Sequence, residues 1–302
     1  EQVISPLPLY HIYAFTVAQI IAAKGGHSVL IPNPRDLPGL VKTMRRWRPT
    51  TFIGLNTLFI GLVNQPDIDK VDFSRLRLTL SGGMTLTHQA ERLWHQMTGH
   101  TIVDAYGLTE ASPAVTTTMP LEPRTGSIGL PLAHTECQIL KEDQTLAATG
   151  EAGELIVKGP QVMREYWQQP EETKQVFTEN GFLRTGDIAV RDADGYIQLV
   201  DRAKDIIIVS GFNVYPSELE NKICDHPQVR ECAVVGVPDK KQGESVRLFI
   251  VPTDETLDGP TLEAWCRLHF AAYKCPKDIR FVSELPKSPV GKVLRRMLRD
   301  QT

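Results

Sequence analysis

Two adjacent glycines, Gly82 and Gly83, follow the apolar run 76–81 and precede a helical pattern. Because they carry no side chains, they would let a flat ligand approach the backbone closely. A plain strand-to-helix turn explains the same pair, so the glycines alone do not define a site.

A second polar motif closes the apolar run 101–106. Tyr106 offers an aromatic face, and Gly107 gives the backbone freedom. Thr109 adds a hydroxyl donor and Glu110 a carboxylate. Such a set suits a purine, a phosphate and Mg²⁺, which takes one or two protein carboxylates besides phosphate oxygens and water. A capped turn is the alternative.

Two charged motifs lie in the second half of the chain. Asp187 follows Gly186, and an ionised Asp accepts hydrogen bonds from both hydroxyls of a ribose. A surface turn is the usual explanation of such a Gly-Asp pair. Residues 201–205 form a charged stretch between two apolar runs. They suit either a solvated linker or a hinge in which Arg202 binds a ribose.

A lysine near the end of the chain closes a proline-rich loop. Residues 286–292 end in Gly291 and Lys292, whose ammonium could neutralise a phosphoryl group or a carboxylate. A basic tail is the alternative, since Arg295, Arg296 and Arg299 follow.

The elements that must position these motifs alternate in the first part of the chain. Short runs rich in β-forming residues at 49–55, 76–81 and 101–106 alternate with helical stretches, which is typical of a parallel α/β sheet. Between the last two runs, apolar residues at helical spacing predict a helix over 86–97 that stops at Gly99.

The pattern of predicted strands and helices then changes twice along the chain. From 126 to 201, short strands with glycine punctuation predict a small antiparallel or barrel-like subdomain with weak helix signals. Beyond it, we expect a strand at 206–209, a helix opened by Pro216, a strand at 233–237 and a helix from Thr261. The predicted fold class is α/β. An incomplete large domain (1–203, with its sheet at 1–125 and its β-rich part at 126–203) precedes a small α+β domain at 204–302.

The composition limits the classes of partner that we expect the chain to bind. The formal charge of −3 argues against a general attraction to nucleic acid. The five cysteines show no Cys-x-x-Cys pair, so we expect reduced thiols in a cytosolic protein rather than a zinc site or a disulfide framework. The apolar stretch 12–23 resembles neither a signal peptide nor a membrane span. The chain starts with Glu1 and at once enters a strand-like run, so we expect a fragment.

Taken in this order, the motifs resemble the adenylate-forming superfamily, which includes acyl-CoA synthetases, luciferases and peptide-synthetase adenylation domains. Residues 180–187 and 195–220 look closest to bacterial long-chain fatty-acyl-CoA synthetases. The resemblance implies that Gly82, Gly83, Tyr106 and Gly107 line the nucleotide. It further implies that Thr109 contacts the α-phosphate, that Glu110 holds magnesium, and that Asp187 and Arg202 hold the ribose.

The resemblance implies further roles in catalysis and domain motion. Lys292 would be the adenylation lysine, and Lys204 the hinge about which the small domain rotates. Gly211, in the loop 210–216, would flank the pantetheine arm of coenzyme A. His11 would lie near the fatty-acid carboxylate and Phe15 would gate its tunnel, although both residues also suit an apolar core.

The implied partners are a fatty acid, ATP, magnesium and coenzyme A, with no nucleic acid. The implied place is the cytoplasm; peripheral contact with the inner face of the membrane and a homodimer are left open. The family's phosphate-binding loop should lie upstream of Leu7, so we expect the fragment alone to bind ATP poorly and to be weak or inactive. Alternatives are an aryl- or medium-chain acyl-CoA ligase, a non-catalytic nucleotide- or acyl-binding fragment and, less favoured because the chain ends soon after Lys292, a peptide-synthetase domain.

Overall fold

The computed structural model describes residues 1–33, 35–83, 86–118, 124, 126–254, 256–288 and 292–300. Its contacts divide the chain into two compact units. The first comprises Glu1–Thr185 and Ala189–Leu199, and the second comprises Gly186–Ile188 and Val200–Thr302. The boundary that the sequence predicts after Ala203 stays a prediction.

The first unit begins with alternating strands and helices. Their bounds are β1 Gln2–Ser5, α1 Ile12–Ala23, β2 His27–Leu30, α2 Leu37–Trp47, β3 Thr51–Gly54, α3 Asn56–Val63, β4 Leu78–Gly82, α4 His88–Thr98, β5 Val103–Gly107, β6 Ala114–Thr117 and β7 Leu130–Pro131. The strands form one sheet in the order β2-β1-β3-β4-β5-β6-β7. Pairing is parallel from β2 to β5 and antiparallel at β6 and β7. The predicted parallel α/β sheet is therefore confirmed.

Helix α4 follows the predicted pattern. Thr87 caps its first turn by accepting a hydrogen bond from the Ala90 amide, and Gly99 ends it in the left-handed conformation. Its Trp94 is fully buried, lies 5.4 Å from Phe52 in a stacked arrangement, and donates its indole N–H to Thr79 over 3.1 Å. This contact fixes the helix against the middle of the sheet.

The β-rich part carries β8 Glu136–Leu140, β9 Gly153–Lys158, α5 Pro170–Val176, β10 Leu183–Arg191 and β11 Ile197–Arg202. Its strands form a sheet in the order β11-β10-β9-β8, and β10 and β11 contribute residues to both units. Helix α5 buries none of its side chains, which explains why the sequence pattern gave only weak helix signals there.

The second unit is an α+β fold, as the sequence predicts. It contains β12 Ile207–Val209, β13 Phe212–Val214, α6 Pro216–Ile223, β14 Val229–Asp239, β15 Gly243–Pro252, α7 Gly259–His269, β16 Asp278–Phe281 and α8 Arg295–Arg299. The sheet order is β13-β12-β15-β14, and β16 pairs with β15. Helix α7 begins before Thr261, because Asp258 caps it by accepting from the Thr261 amide.

None of the described helices combines the length and the apolar composition that crossing a membrane requires.

Candidate functional site

The carboxyl end of β4 is free of side chains where it meets β5. Gly82 pairs with Ala105 in the parallel ladder, and a Cβ on Gly82 would lie 3.3 Å from both the Ala105 carbonyl and the Tyr13 ring. Gly83 has φ +81°, which L side chains rarely adopt. The two predicted glycines thus form a bare turn, and Met84, beside them, lies outside the described residues.

Tyr13 supports this turn from below and was missed by sequence reasoning. Its ring is buried against Gly82, and its hydroxyl donates to the Leu80 carbonyl over 3.1 Å. Burial raises the pKa of the Tyr13 phenol well above its usual range, and the nearby Asp104 adds to the shift. Tyr13 therefore remains a neutral donor that holds β4 in place.

Tyr106 and Gly107 lie at the end of β5, beside this turn. The Tyr106 residue is 9% exposed and belongs to a cluster with Val115 and Ile128. A Cβ on Gly107 would lie 2.0 Å from the Pro113 carbonyl, so no larger residue fits there without moving the backbone. Gly107 is explained by this close approach, whatever the turn binds.

Thr109 and Glu110 begin the 3₁₀ turn Thr109–Ala111, which follows β5. No side-chain hydrogen bond caps the N-terminus of this turn. Thr109 is exposed and Glu110 half-buried. The Glu110 carboxylate accepts a hydrogen bond from the Tyr166 hydroxyl over 2.8 Å. Desolvation, followed by the Glu110 carboxylate, raises the pKa of Tyr166 to about 12. Tyr166 is a second supporting residue that the sequence did not reveal.

Asp104, two residues before Tyr106, is an isolated buried acid. Its Oδ2 accepts from the Leu86 amide over 3.4 Å, and its Oδ1 has no hydrogen-bond partner among the described residues. Desolvation raises its pKa to about 7, against the weaker opposing effect of the Leu86 amide. The buried carboxyl close behind the candidate nucleotide turn therefore gains or loses its proton near pH 7.

Asp187 and Arg202 lie together in the second unit. The Arg202 Nε lies 2.8 Å from the Asp187 Oδ1. Asp187 is part of strand β10, so the surface-turn alternative is wrong. Gly186 has φ +70°, and a Cβ there would lie 3.9 Å from the Arg202 guanidinium. The structure thus brings together the two residues that the sequence assigned to a ribose.

Lys292 is exposed in the same unit. Its loop is closed by two hydrogen bonds, from the Ser288 amide to the Lys292 carbonyl (2.8 Å) and from the Lys292 amide to the Ser288 hydroxyl (3.2 Å). Desolvation lowers the pKa of the Lys292 ammonium, and the Arg202 guanidinium lowers it further, while Asp187 opposes them. Gly291 lies outside the described residues.

Behind Lys292, five side chains form a group that we call the Arg295 cluster: Asp201, Asp205, Glu220, Arg295 and Arg299. Arg295 binds Glu220 over 2.6 Å and Asp205 over 3.3 Å, and Arg299 binds Asp205 over 2.8 Å. Desolvation raises the pKa of Glu220, and Arg295 opposes this shift. The Arg295 side chain is only 19% exposed, so the basic-tail alternative is wrong for this residue.

Lys204 and Gly211 occupy two different turns. Lys204 is exposed in the 3₁₀ turn Ala203–Asp205, and its carbonyl accepts from Arg299 over 3.4 Å. Gly211, with φ +84°, follows Ser210, with φ +51°, in the turn between β12 and β13. Two consecutive positive φ angles are typical of a tight hairpin turn, which accounts for Gly211 without a ligand.

His11 and Phe15 lie at the first turn of α1. The His11 Nδ1 accepts from the Tyr13 amide over 3.3 Å and so caps the helix. Phe15 is 45% exposed, which makes it neither a core residue nor part of an enclosed tunnel within the described residues. Their assignment to the fatty acid stays a prediction.

One cavity, with a volume of about 90 Å³, is lined by Arg124, Ser127 and Tyr196, among others. The predicted site residues do not line it. The predicted nucleotide-site residues of the first unit lie instead in and after β4 and β5.

The backbone of this chain is similar to those of several solved structures. ATP-bound MatB from Rhodopseudomonas palustris matches with a TM-score of 0.92 at 32% identity, covering 99% of this chain and 60% of that one. The o-succinylbenzoate CoA synthetase MenE of Bacillus subtilis, in complex with its acyl-adenylate intermediate, matches with a TM-score of 0.86 at 28% identity, covering 100% of this chain and 61% of that one.

Sequence comparison gives the family. The model of the AMP-binding enzyme family matches residues 1–167, and that of its C-terminal domain matches residues 218–292. A long-chain-fatty-acid–CoA ligase of Salmonella typhimurium (strain LT2) is 47% identical over 303 aligned positions, covering 100% of this chain and 54% of the relative. The chain belongs to the AMP-binding enzyme family, which confirms the resemblance, and it spans about half the length of the relatives it matches.

Proposed function

We propose that this chain is part of an ATP-dependent ligase that converts a long-chain fatty acid to an acyl-adenylate and then to its coenzyme A thioester. The carboxylate attacks the α-phosphorus of ATP and pyrophosphate leaves; the thiol of coenzyme A then attacks the acyl carbonyl and AMP leaves. The observation that carries the proposal is the 47% identity, along the whole chain, to a long-chain-fatty-acid–CoA ligase.

The bare turn after β4 supports nucleotide binding in the first unit. In our proposal, a planar base lies against the backbone of Gly82 and Gly83, which carry no side chains. Because Tyr106 is only 9% exposed, we assign it a limited part in stacking. Thr109, which is exposed one turn later, contacts the α-phosphate.

Glu110 suits Mg²⁺ by its chemistry. Among the described residues, no group of three or more His, Cys, Asp or Glu side chains is placed to hold a metal ion. Magnesium nucleotides need few protein ligands, because phosphate oxygens and water complete the octahedron. Glu110 would supply one carboxylate, and the Tyr166 hydroxyl orients it. The ion would neutralise phosphate charge.

Asp187, Arg202 and Lys292 form a charged group in the second unit, which we assign to the ribose and the α-phosphate. Asp187 accepts from the ribose hydroxyls and Arg202 adds a donor, while their ion pair holds both in place. Lys292 neutralises the charge that builds up on the α-phosphate as pyrophosphate leaves. The ammonium positions and stabilises without exchanging a proton, and its partial desolvation strengthens its attraction for the phosphate.

The remaining assignments concern motion and the other substrates. Lys204 is the proposed hinge residue, and Gly211 the residue beside the pantetheine arm. His11 and Phe15, on the exposed start of α1, face the fatty acid. Peripheral contact with the inner face of the membrane belongs to the same proposal because a long-chain fatty acid partitions into lipid. A cytoplasmic place and a homodimer are its remaining parts, for which oligomeric state and cell fractionation are the measurements.

A substrate panel tests the acid specificity in the longer protein that contains this chain. AMP release and CoA thioester formation are measured with long-chain, medium-chain and aromatic acids. We expect long-chain acids to give the highest kcat/KM. A buried methylene contributes about 0.8 kcal/mol, so neighbouring chain lengths should differ by only a few-fold. A preference for aromatic acids would overturn the long-chain assignment and favour the aryl-CoA ligase alternative.

Lys292→Ala separates the two half-reactions. We expect adenylation to fall by about 10²–10³-fold, as on removal of a transition-state donor, while thioester formation from supplied acyl-AMP is kept. Lys287→Ala, in the same loop, is the matched control and should affect neither. An equal loss in both half-reactions would contradict the role of Lys292.

The 302-residue chain itself is tested by calorimetry with a non-hydrolysable acyl-AMP analogue. Binding would show that the described turns suffice for the adenylate. Absence of binding together with full activity of the longer protein would assign the missing affinity to residues outside this chain.

A further inference from the structure

Two thiols lie within reach of each other in the second unit. The Sγ atoms of Cys224 and Cys232 are 3.5 Å apart. Cys224 follows the last residue of α6 and is exposed, whereas Cys232 lies in β14 and is buried. Neither residue belongs to the proposed adenylation site, so their proximity needs an explanation of its own.

The surroundings allow the two sulfur atoms to approach. A disulfide has an S–S distance of about 2.0 Å, so the atoms must close by about 1.5 Å. Cys224 is the C-cap residue of α6 and is exposed, so fewer neighbours restrain its side chain than restrain that of the buried Cys232. The Cys232 thiol also lies 3.5 Å from the Glu220 carbonyl, which holds its sulfur on the side facing α6.

The two sulfurs differ in acidity as well as exposure. The hydrogen bond between the two sulfur atoms, in which either can be the donor, lowers the pKa of Cys224, although burial and the carboxylates of Glu220 and Glu231 oppose this shift. The pKa of Cys232 is raised by the same hydrogen bond and by burial. The exposed sulfur is therefore the more acidic of the two and the more readily ionised.

We propose that Cys224 and Cys232 form a peroxide-sensitive dithiol site that closes reversibly to a disulfide. The Cys224 thiolate attacks a peroxide oxygen; the O–O bond breaks, hydroxide leaves and a sulfenic acid forms. The Cys232 sulfur then attacks the Cys224 sulfur, the S–O bond breaks, and the departing hydroxide takes the Cys232 proton. Two thiols and one hydrogen peroxide give one disulfide and two waters. An external dithiol reverses the bond by exchange.

The other cysteines of the chain make the assignment selective. Cys137 and Cys266 are buried, and burial raises the pKa of each thiol to about 12. Cys275 is half-buried and its sulfur points to backbone carbonyls of residues 266, 270 and 271. Desolvation also raises the pKa of Cys275. Cys224 is thus the cysteine that combines exposure with a lowered pKa.

The test is thiol counting on the purified chain after mild hydrogen peroxide at neutral pH. Unreacted thiols are alkylated under denaturing conditions, and the peptides are mapped by mass spectrometry. We expect two of the five free cysteines to be lost, a cross-linked peptide containing Cys224 and Cys232, and recovery of both thiols with dithiothreitol. Cys275→Ser is the matched control and should leave the cross-link intact.

Two single variants separate the steps. Cys232→Ser should leave a sulfenic acid at Cys224 that dimedone traps, and Cys224→Ser should abolish both dimedone labelling and the cross-link. Retention of all five thiols, a Cys266–Cys275 bridge instead, or overoxidation of Cys224 without a bridge in the unmodified chain would each overturn the proposal.

Discussion

Buried carboxyl groups are handled in opposite ways in the two units. Behind the turn of β4 and β5, Asp104 is buried alone, one of its oxygens lacks a hydrogen-bond partner among the described residues, and its pKa rises to about 7. In the Arg295 cluster, Asp201, Asp205 and Glu220 share two arginines. Desolvation of Asp104 is opposed mainly by hydrogen bonds, whereas for Glu220 the charge of Arg295 opposes it.

The two regions therefore hold their predicted site residues in place by different kinds of interaction. The first region holds its backbone by close packing, as at Gly107, and by neutral donors such as Tyr13. The second holds helix α8, which follows the loop of Lys292, by charges that must all be present together. We therefore expect the first region to respond to pH and volume changes and the second to charge removal.

The largest expected effect is that of Arg295→Met. Removing the central cation leaves buried carboxylates without compensation, which typically costs about 3–5 kcal/mol. The free energy of unfolding, measured by urea denaturation, should fall by that amount. Arg296→Met, at the adjacent exposed position, should change it by less than about 0.5 kcal/mol. Equal effects of the two substitutions would remove the energetic importance of the cluster.

Asp104→Asn tests the unpaired acid through pH. Since the folded-state pKa is raised to about 7, the stabilising contribution of Asp104 is complete below its ordinary pKa of 3.8 and is lost as pH rises towards 7. A shift of roughly three units corresponds to about 4 kcal/mol. The stability difference between the variant and the unmodified chain should therefore move in favour of the variant by up to that amount across this window, and level off above it.

Asp72→Asn is the matched control, because its effect on stability should change with pH in the opposite direction. The hydrogen bond from Ser74 lowers the pKa of the exposed Asp72, so its variant should lose stability, relative to the unmodified chain, as pH rises. Denaturation curves at several pH values check both slopes. Parallel pH profiles for the two variants would contradict the contrast.

Gly107→Ala tests close packing in the first region. Its added Cβ would meet the Pro113 carbonyl at 2.0 Å, so the backbone must shift, at a cost of about 1–3 kcal/mol. Gly259→Ala is the control, because a Cβ there meets nothing within 4 Å and φ is not positive. Thermal or urea denaturation would measure both; a neutral Gly107→Ala would mean that the turn is pliable.

Arg202→Gln has the smallest expected effect and probes charge in the second region. Loss of this guanidinium removes one of the causes that lower the pKa of Lys292, so the titration of Lys292 should move to higher pH. The pH dependence of Lys292 acylation, followed by mass spectrometry, measures the shift. Arg267→Gln, whose partner is Glu263, should leave it unchanged. A downward shift in Arg202→Gln would show that Asp187 controls Lys292 in a different way.

The sequence pattern predicted those helices that are determined by interactions between neighbouring residues. Helix α4 was visible in the sequence because its apolar spacing, its Thr87 cap and its terminal Gly99 lie within a short stretch. Helix α6 was visible because Pro216 opens it and Leu219 and Ile223 are buried. The order of the motifs was enough to indicate the family, which the comparisons confirm.

Contacts between residues that are far apart in the sequence could not be predicted, because local patterns carry no information about them. Arg295 reaches partners 75 and 90 positions away, and no periodicity reports such separations. Tyr166 lies 56 positions from Glu110, and Tyr13 lies 67 from Leu80. The charged side chains after Lys292 therefore suggested a solvated tail, although Arg295 is the centre of a buried network. The roles of the predicted site residues stay predictions.

The turn that contains Lys204 is fastened at both ends to the same body. Asp201 accepts from the Ser217 amide over 2.7 Å on one side, and Asp205 is bound by Arg295 and Arg299 on the other. Twisting the backbone at Lys204 alone would pull one of these carboxylates off its partners. Any rotation about this segment must therefore either break the hydrogen bond of Asp201 or the ion pairs of Asp205, or take place before Asp201. These contacts, rather than Lys204 itself, would determine how easily the chain bends here.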